Sequence, residues 1–253
     1  MPASLLEADG LVKAFGRVRA LRGASFAVHP GEVVALVGDN GAGKSVLVKC
    51  LSGVLQPDAG QILVDGNPVR LESPLAAMRM GIETVYQDLA LADDLDAAAN
   101  LYLGREILKR GPLRLFGALD RARMRREAVG AFRDLGIELQ SASTPIEALS
   151  GGQRQSVAVA RSVVWASRVI LLDEPTAALG VVQRQHVHDV IRRVRDRGVA
   201  VVYISHNMPE VLEVADRIEV LRLGERVARF RAAEATLEDL VGAMTGALRQ
   251  EDA

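Results

Sequence analysis

Val33-Val34-Ala35-Leu36-Val37-Gly38-Asp39-Asn40-Gly41-Ala42-Gly43-Lys44-Ser45 is the stretch that decides the fold. Its first five residues are apolar and mostly β-branched, the pattern of a buried strand. The next eight carry three glycines, a lysine and a hydroxyl. Gly38, Gly41 and Gly43 allow backbone conformations and close approaches that a Cβ would block. The amides of such a loop, with those opening the next helix, converge on phosphate oxygens. Lys44 is placed to reach the β- and γ-phosphates of a nucleotide, and the Ser45 hydroxyl to meet Mg²⁺. Lys44 to Val54 reads as that helix. A plain glycine turn would not need a strand before it and a helix after it.

Outward from this unit, Gln61 to Val64 and Val69 to Leu71 flank Asp65-Gly66-Asn67-Pro68, which is hairpin chemistry. Ile82 to Tyr86 reads as a strand ending at Gln87. From 88 to about 150 the chain turns Ala-, Leu- and Arg-rich and offers no buried strand, so a helical lobe is expected there. Arg123 to Leu135 has helical spacing, and Gly152 to Ala166 is apolar at Val157, Ala160, Val163 and Val164. Val169 to Leu172 and Val199 to Ile204 return to buried strands, separated by a charged helix, Gln183 to Arg197. Alternating strands and helices imply a parallel sheet with ligands at its carboxyl ends. The expected fold is α/β: a P-loop NTPase core with a mostly parallel sheet, an antiparallel β subdomain and an inserted α-helical lobe. The expected boundaries are one domain over 1–253. Its core is 1–87 and 155–225, its lobe 88–154 and its C-terminal tail 226–253.

Composition sets limits on function. The 253 residues are enough for a sizeable core. A net charge of −1 gives no support to nucleic-acid binding as the main role. The local run Arg121, Arg123, Arg125 and Arg126 reads as a solvated helix face. Cys50 is the single cysteine, so no internal disulfide forms, and a buried thiol in a reducing compartment is expected. The first ten residues lack a signal-peptide core, and no stretch approaches 18 uncharged apolar residues. Any membrane role is expected to run through a partner.

Further residues at predicted strand ends carry chemistry. Asp173 closes the buried strand that begins at Val169 and is placed to hold Mg²⁺ through water. Glu174 follows it and is placed to polarise an attacking water. Gln87 offers an amide oxygen to Mg²⁺ or water, and His206 a hydrogen bond to a γ-phosphate. Phe15, ahead of the phosphate loop, is placed either to stack on adenine or to pack in the core. Leu149-Ser150-Gly151-Gly152-Gln153 presents a hydroxyl and free amides at a helix start, a second anion-binding end. The phosphate loop of the same chain already cradles the nucleotide, so the economical reading gives this string to a γ-phosphate held by a second copy.

Taken together, Phe15, Gly38 to Ser45, Gln87, Leu149 to Gln153, Ile170 to Glu174 and His206 resemble the ATP-binding subunit of an ABC transporter. The resemblance implies two copies sandwiching two ATP molecules with Mg²⁺. In it Gly38, Asp39, Asn40, Gly41, Ala42, Gly43, Lys44, Ser45 and Val46 hold the phosphates. Ser45, Gln87 and Asp173 serve the metal, Glu174 is the base, and His206 senses the γ-phosphate. Ser150, Gly151, Gly152 and Gln153 cap the ATP of the partner copy. Gly81 to Gln87, Glu174 to Gly180 and Ser205 to Pro209 are similar to the ATPases of bacterial monosaccharide importers of the ribose and fructose type. That implies a permease, a periplasmic sugar-binding protein and a peripheral place at the cytoplasmic face of the inner membrane. Two positions depart from the wider family. Gly180 stands where most members have an Asp that crosses the dimer interface, and Val46 stands where a Thr hydroxyl bonds the α-phosphate. The rival classes fit less well. A soluble ABC ATPase of translation or repair carries long insertions or a second unit. A P-loop kinase or GTPase leaves Leu149 to Gln153 and His206 without work. A non-hydrolysing subunit leaves Lys44, Asp173 and Glu174 unexplained.

Overall fold

A computed structural model describes residues 4–85, 91–114, 116–137, 139, 141–177 and 179–250. The chain forms two compact units. The first comprises Met1–Gln87, Ala166–Pro175 and Ile191–Ala253; the second comprises Asp88–Trp165 and Thr176–Val190.

The first unit is built on two sheets. β1 (Leu6–Phe15), β2 (Val18–Val28), β4 (Ala59–Val64) and β5 (Asn67–Val69) form an antiparallel sheet in the order β2-β1-β4-β5. β3 (Val33–Val37), β6 (Ile82–Val85), β7 (Val169–Asp173), β8 (Ala200–Ile204), β9 (Arg217–Arg222) and β10 (Glu225–Arg231) form the second, ordered β10-β9-β3-β8-β7-β6. All its pairings are parallel except β10 with β9. β3 and β8 are buried at every position, as expected of strands covered on both faces. α1 (Lys44–Leu51), α2 (Pro74–Arg79), α7 (Met208–Val214) and α8 (Leu237–Thr245) complete the unit. Residues of both sheets and of α1 share one apolar core, which includes Cys50. Burial pushes the Cys50 thiol up to about 11, so it is inert.

Three details depart from the sequence reading. The β4–β5 turn is the pair Asp65-Gly66, at φ 51° and 73°, and Asn67 and Pro68 already belong to β5. Positive φ at both residues is what an Asp-Gly turn supplies, and Pro68 is tolerated because β5 is an edge strand. The helix after the phosphate loop stops at Leu51 rather than Val54. The expected tail is structured: β10 closes the edge of the parallel sheet, and α8 starts with a capping box between Thr236 and Asp239.

Glu219 explains why β10 belongs to the sheet. It is buried on β9 and pairs with Arg217, with Arg229 at 2.9 Å and with Arg226 at 3.5 Å. Arg217 is shared with Glu32 at 2.7 Å. Burial raises the Glu219 carboxyl, and the three guanidiniums oppose that shift. Removing one member of a buried ion cluster leaves uncompensated charge. Glu219→Ala is therefore expected to destabilise the chain by about 3–5 kcal/mol, which urea unfolding would measure.

The second unit is helical: α3 (Ala97–Leu101), α4 (Arg121–Asp134), α5 (Gly151–Trp165) and the first part of α6 (Val181–Asp196), with short 3₁₀ turns at Gly111–Arg114 and Ile146–Ala148. α5 packs on α3 and α4. That is why the whole of α5 clusters here, whereas the expected lobe stopped at 154. Asn100 is buried in this unit. Its side chain accepts from the Ala92 amide at 2.8 Å and donates to the carbonyls of Ala92, Leu95 and Asp96. Of the arginine run, Arg123 pairs with Glu127 and Arg125 with Asp96 on the α4 surface. Among the described residues no helix is long and apolar enough to cross a membrane.

Candidate nucleotide site

In the first unit β3, β8 and β7 are adjacent strands, so the loops leaving their carboxyl ends lie side by side. After β3 comes the glycine loop. A Cβ on Gly38 would lie 2.2 Å from the Leu221 carbonyl oxygen, and one on Gly43 would lie 2.6 Å from that of Ala20. These two glycines are therefore required by close approach of backbone, not only by turn geometry. Lys44 Nζ donates to the carbonyls of Gly38 at 2.6 Å and Asp39 at 3.1 Å, which places its cation over the loop. Ala42 N donates to Asp39 O at 3.1 Å and tightens the turn. Ser45 is exposed at the start of α1, and Val46 is half-buried against the core, which accounts for an apolar residue there.

After β7 come Asp173 and Glu174. Burial, and then the charge of Glu174, raises the Asp173 carboxyl; Lys44 opposes the shift. Burial lowers the Lys44 ammonium, against the pull of Glu174, Asp39 and Asp173. The cation and both acids thus share one field. Glu174 sits at φ 53°, a left-handed conformation that costs a non-glycine residue roughly 1–2 kcal/mol. Its amide is held by the Ile204 carbonyl at 3.0 Å. Nothing in the sequence signals this strain, since a residue before proline is biased towards extended backbone. It fixes the direction in which the carboxylate leaves the strand.

After β8 comes His206, 72% exposed, with Nδ1 2.7 Å from Glu174 Oε2. The sequence placed both residues at strand ends; their direct contact is new. Behind them Asn207 Nδ2 donates to Glu210 Oε1 at 2.6 Å, and the buried Tyr203 hydroxyl meets Glu210 Oε2 at 3.1 Å. This fixes the turn that carries His206. Phe15 ends β1 with 48% of its surface exposed, which rules out the core reading for its ring. Lys13 Nζ stands 5.8 Å from the ring centroid. Gln87 lies outside the described residues.

Ser150 to Gln153 belong to the second unit. Ser150 Oγ accepts from the Gln153 amide at 3.3 Å, and Gln153 Oε1 accepts from the Ser150 amide at 3.0 Å. The string is thus a reciprocal cap on α5, legible in its Ser-x-x-Gln spacing. The amides of Gly151 and Gly152 have no acceptor within a helix at that end. Gln183 of α6 is a neighbour the sequence did not reveal. A Cβ on Gly152 would lie 2.7 Å from its Cγ, and a Cβ on Gly180 would lie 2.7 Å from its Oε1. The two glycines accommodate one glutamine side chain.

Residues 21–177 match the ABC transporter family. The fructose import ATP-binding protein of Rhizobium meliloti is 50% identical over 245 residues, covering 96% of this chain and 94% of that protein. A ribose import ATP-binding protein of Burkholderia pseudomallei (strain 1710b) is 44% identical over 97% of this chain; the chain spans 47% of its length, about half. Among solved structures, an ATP-binding cassette of an ABC transporter in its ADP conformation aligns with a TM-score of 0.77 at 26% identity, covering 94% of this chain and 95% of that one. A glycine cradle, an acid pair and a histidine on three adjoining strand ends agree with these likenesses, and the chain belongs to the ABC transporter family, among its ATP-binding subunits.

Proposed function

We propose that this chain hydrolyses ATP to drive import of a monosaccharide through a permease. The observation that carries the reading is the convergence of Lys44, Asp173, Glu174 and His206 at neighbouring strand ends, with Glu174 in contact with His206. Gly38 to Val46 hold the triphosphate through backbone amides and the Lys44 charge. Phe15 offers an exposed ring to the base. Glu174 orients a water, accepts its proton as the water oxygen bonds to the γ-phosphorus, and ADP leaves. His206, whose Nδ1 meets Glu174 here, is the donor that turns to the γ-phosphate when ATP is bound. The oxygen donors Ser45 and Asp173, with Gln87, suit Mg²⁺; when bound, the ion neutralises phosphate charge.

Ser150, Gly151, Gly152 and Gln153 of one copy complete the site of a second, so the working form is a homodimer closed on ATP. The fructose-import relative supports a sugar as cargo. The other components are a permease that moves with the dimer and a periplasmic sugar-binding protein. The chain is peripheral, at the cytoplasmic face of the inner membrane, and binds no nucleic acid. Phosphate release by the purified chain is expected to rise more steeply than linearly with its concentration, because each site needs two copies. A strictly linear dependence far below the dimerisation constant would contradict the paired site. Loss of monosaccharide uptake in cells lacking the chain would test the cargo.

A further inference from the structure

In the second unit, the described residues between 105 and 121 form an arm that the nucleotide chemistry does not use. Its two sides are tied together. Lys109 N donates to Ala118 O at 2.8 Å, Asp120 N donates to Ile107 O at 2.7 Å, and Leu108 bridges Leu119. The 3₁₀ turn Gly111–Arg114 forms the tip, and Gly117 N donates back to Arg114 O at 3.0 Å. The base is clamped. The Arg105 guanidinium stands 4.9 Å from the Trp165 ring centroid, and Trp165 Nε1 donates to Leu101 O at 2.7 Å.

What this arm presents is unusual for a solvent-facing loop. Phe116 is 84% exposed, and Leu108 on the same arm is also exposed. Lys109, Arg110 and Arg114 of the same arm are exposed. From 105 to 121 the chain carries five cations against two carboxylates. The arm thus carries an exposed aromatic ring and an excess of cations, and it is held by hydrogen bonds on an anchored base. It matches a surface that is anionic outside and apolar beneath.

We propose that this arm docks on anionic lipid headgroups, with Phe116 entering the interface and Lys109, Arg110 and Arg114 pairing with the phosphates. The proposal rests on the reading that the chain works beside a membrane, but its test does not. Each basic residue near such a surface strengthens binding by roughly fivefold. The three together therefore give an effect on the order of a hundredfold, weakened by salt.

The test is flotation of the full chain with phosphatidylcholine vesicles and with vesicles in which phosphatidylglycerol replaces part of that lipid. Binding to the anionic vesicles is expected. It should fall with added salt, fall about tenfold or more in a Lys109→Glu, Arg110→Glu double variant, and fall again in Phe116→Ser. Hydrolysis of ATP in solution should be unchanged in both variants, which shows that they fold and keeps this result separate from the transport reading. Equal binding to both vesicle types, no binding to either, or variants that float like the native chain would overturn the proposal. So would capture by vesicles only when a permease is present, since the arm would then recognise protein.

Discussion

Glu174→Gln is expected to lower ATP hydrolysis by about 10²–10⁴-fold, the usual contribution of a general base, and to leave ATP binding in place. The substitution keeps shape. A glutamine carbonyl still accepts a hydrogen bond from His206 Nδ1, 2.7 Å from the native carboxylate oxygen. The left-handed backbone at φ 53° and its amide bond to Ile204 O do not depend on the charge. What disappears is the atom that takes the proton from water. Binding should persist and even tighten, because a negative charge in the same field as Lys44 and Asp173 is removed from beside the phosphates. ATP should then hold two copies together, seen as a dimer by sizing chromatography at high protein concentration. Turnover within tenfold of native would remove Glu174 from the role of base.

The parallel sheet was legible because its strands are buried on both faces. Val33 to Val37 and Ala200 to Ile204 are runs of apolar residues with no alternation to confuse them, and the phosphate loop and His206 follow them closely. β10 was not legible, for a physical reason. Its sequence Glu225 to Arg231 is rich in arginine and falls almost wholly in the expected C-terminal tail, yet Arg226 and Arg229 turn to a carboxylate, Glu219, buried on the neighbouring strand. Charge in a sequence reveals polarity but not the partner. The lobe boundary failed similarly. Gly152 to Ala166 was visible as a helix, but which unit it packs on depends on α3 and α4, which lie far off in sequence. At the site, side-chain identity was legible and mutual contact was not. The sequence pointed to His206 and Glu174 separately. Only the adjacency of β7 and β8 makes them a pair. Gln183 had no signal at all, being an ordinary helix residue until two glycines are found packed around it.

Ser150→Arg is expected to abolish hydrolysis while ATP binding to the separate chain stays normal. In the first unit nothing changes, because Lys44, Asp173, Glu174 and His206 all belong there. In the second, a long cation replaces the hydroxyl that caps α5, which by itself costs about 1 kcal/mol of stability. Ser150→Ala removes the same cap without the bulk and serves as the control for that loss. The larger effect is on the donors offered to a partner's phosphate, worth about 10²–10³-fold in rate for each preorganised group. A mixture of two inactive variants then separates a site built across copies from one built within a chain. In a mixed pair, the phosphate loop and base of the Ser150→Arg copy are intact, and they face the intact signature string of the Glu174→Gln copy. One good site is rebuilt from two dead chains. With random pairing half the dimers are mixed and each has one good site, so roughly a quarter of native hydrolysis should return if the sites act independently. Differently tagged copies recovered together would show that mixed pairs exist. A mixture that pairs yet stays as inactive as its components would mean that Ser150 serves its own chain, and the shared site would have to be abandoned.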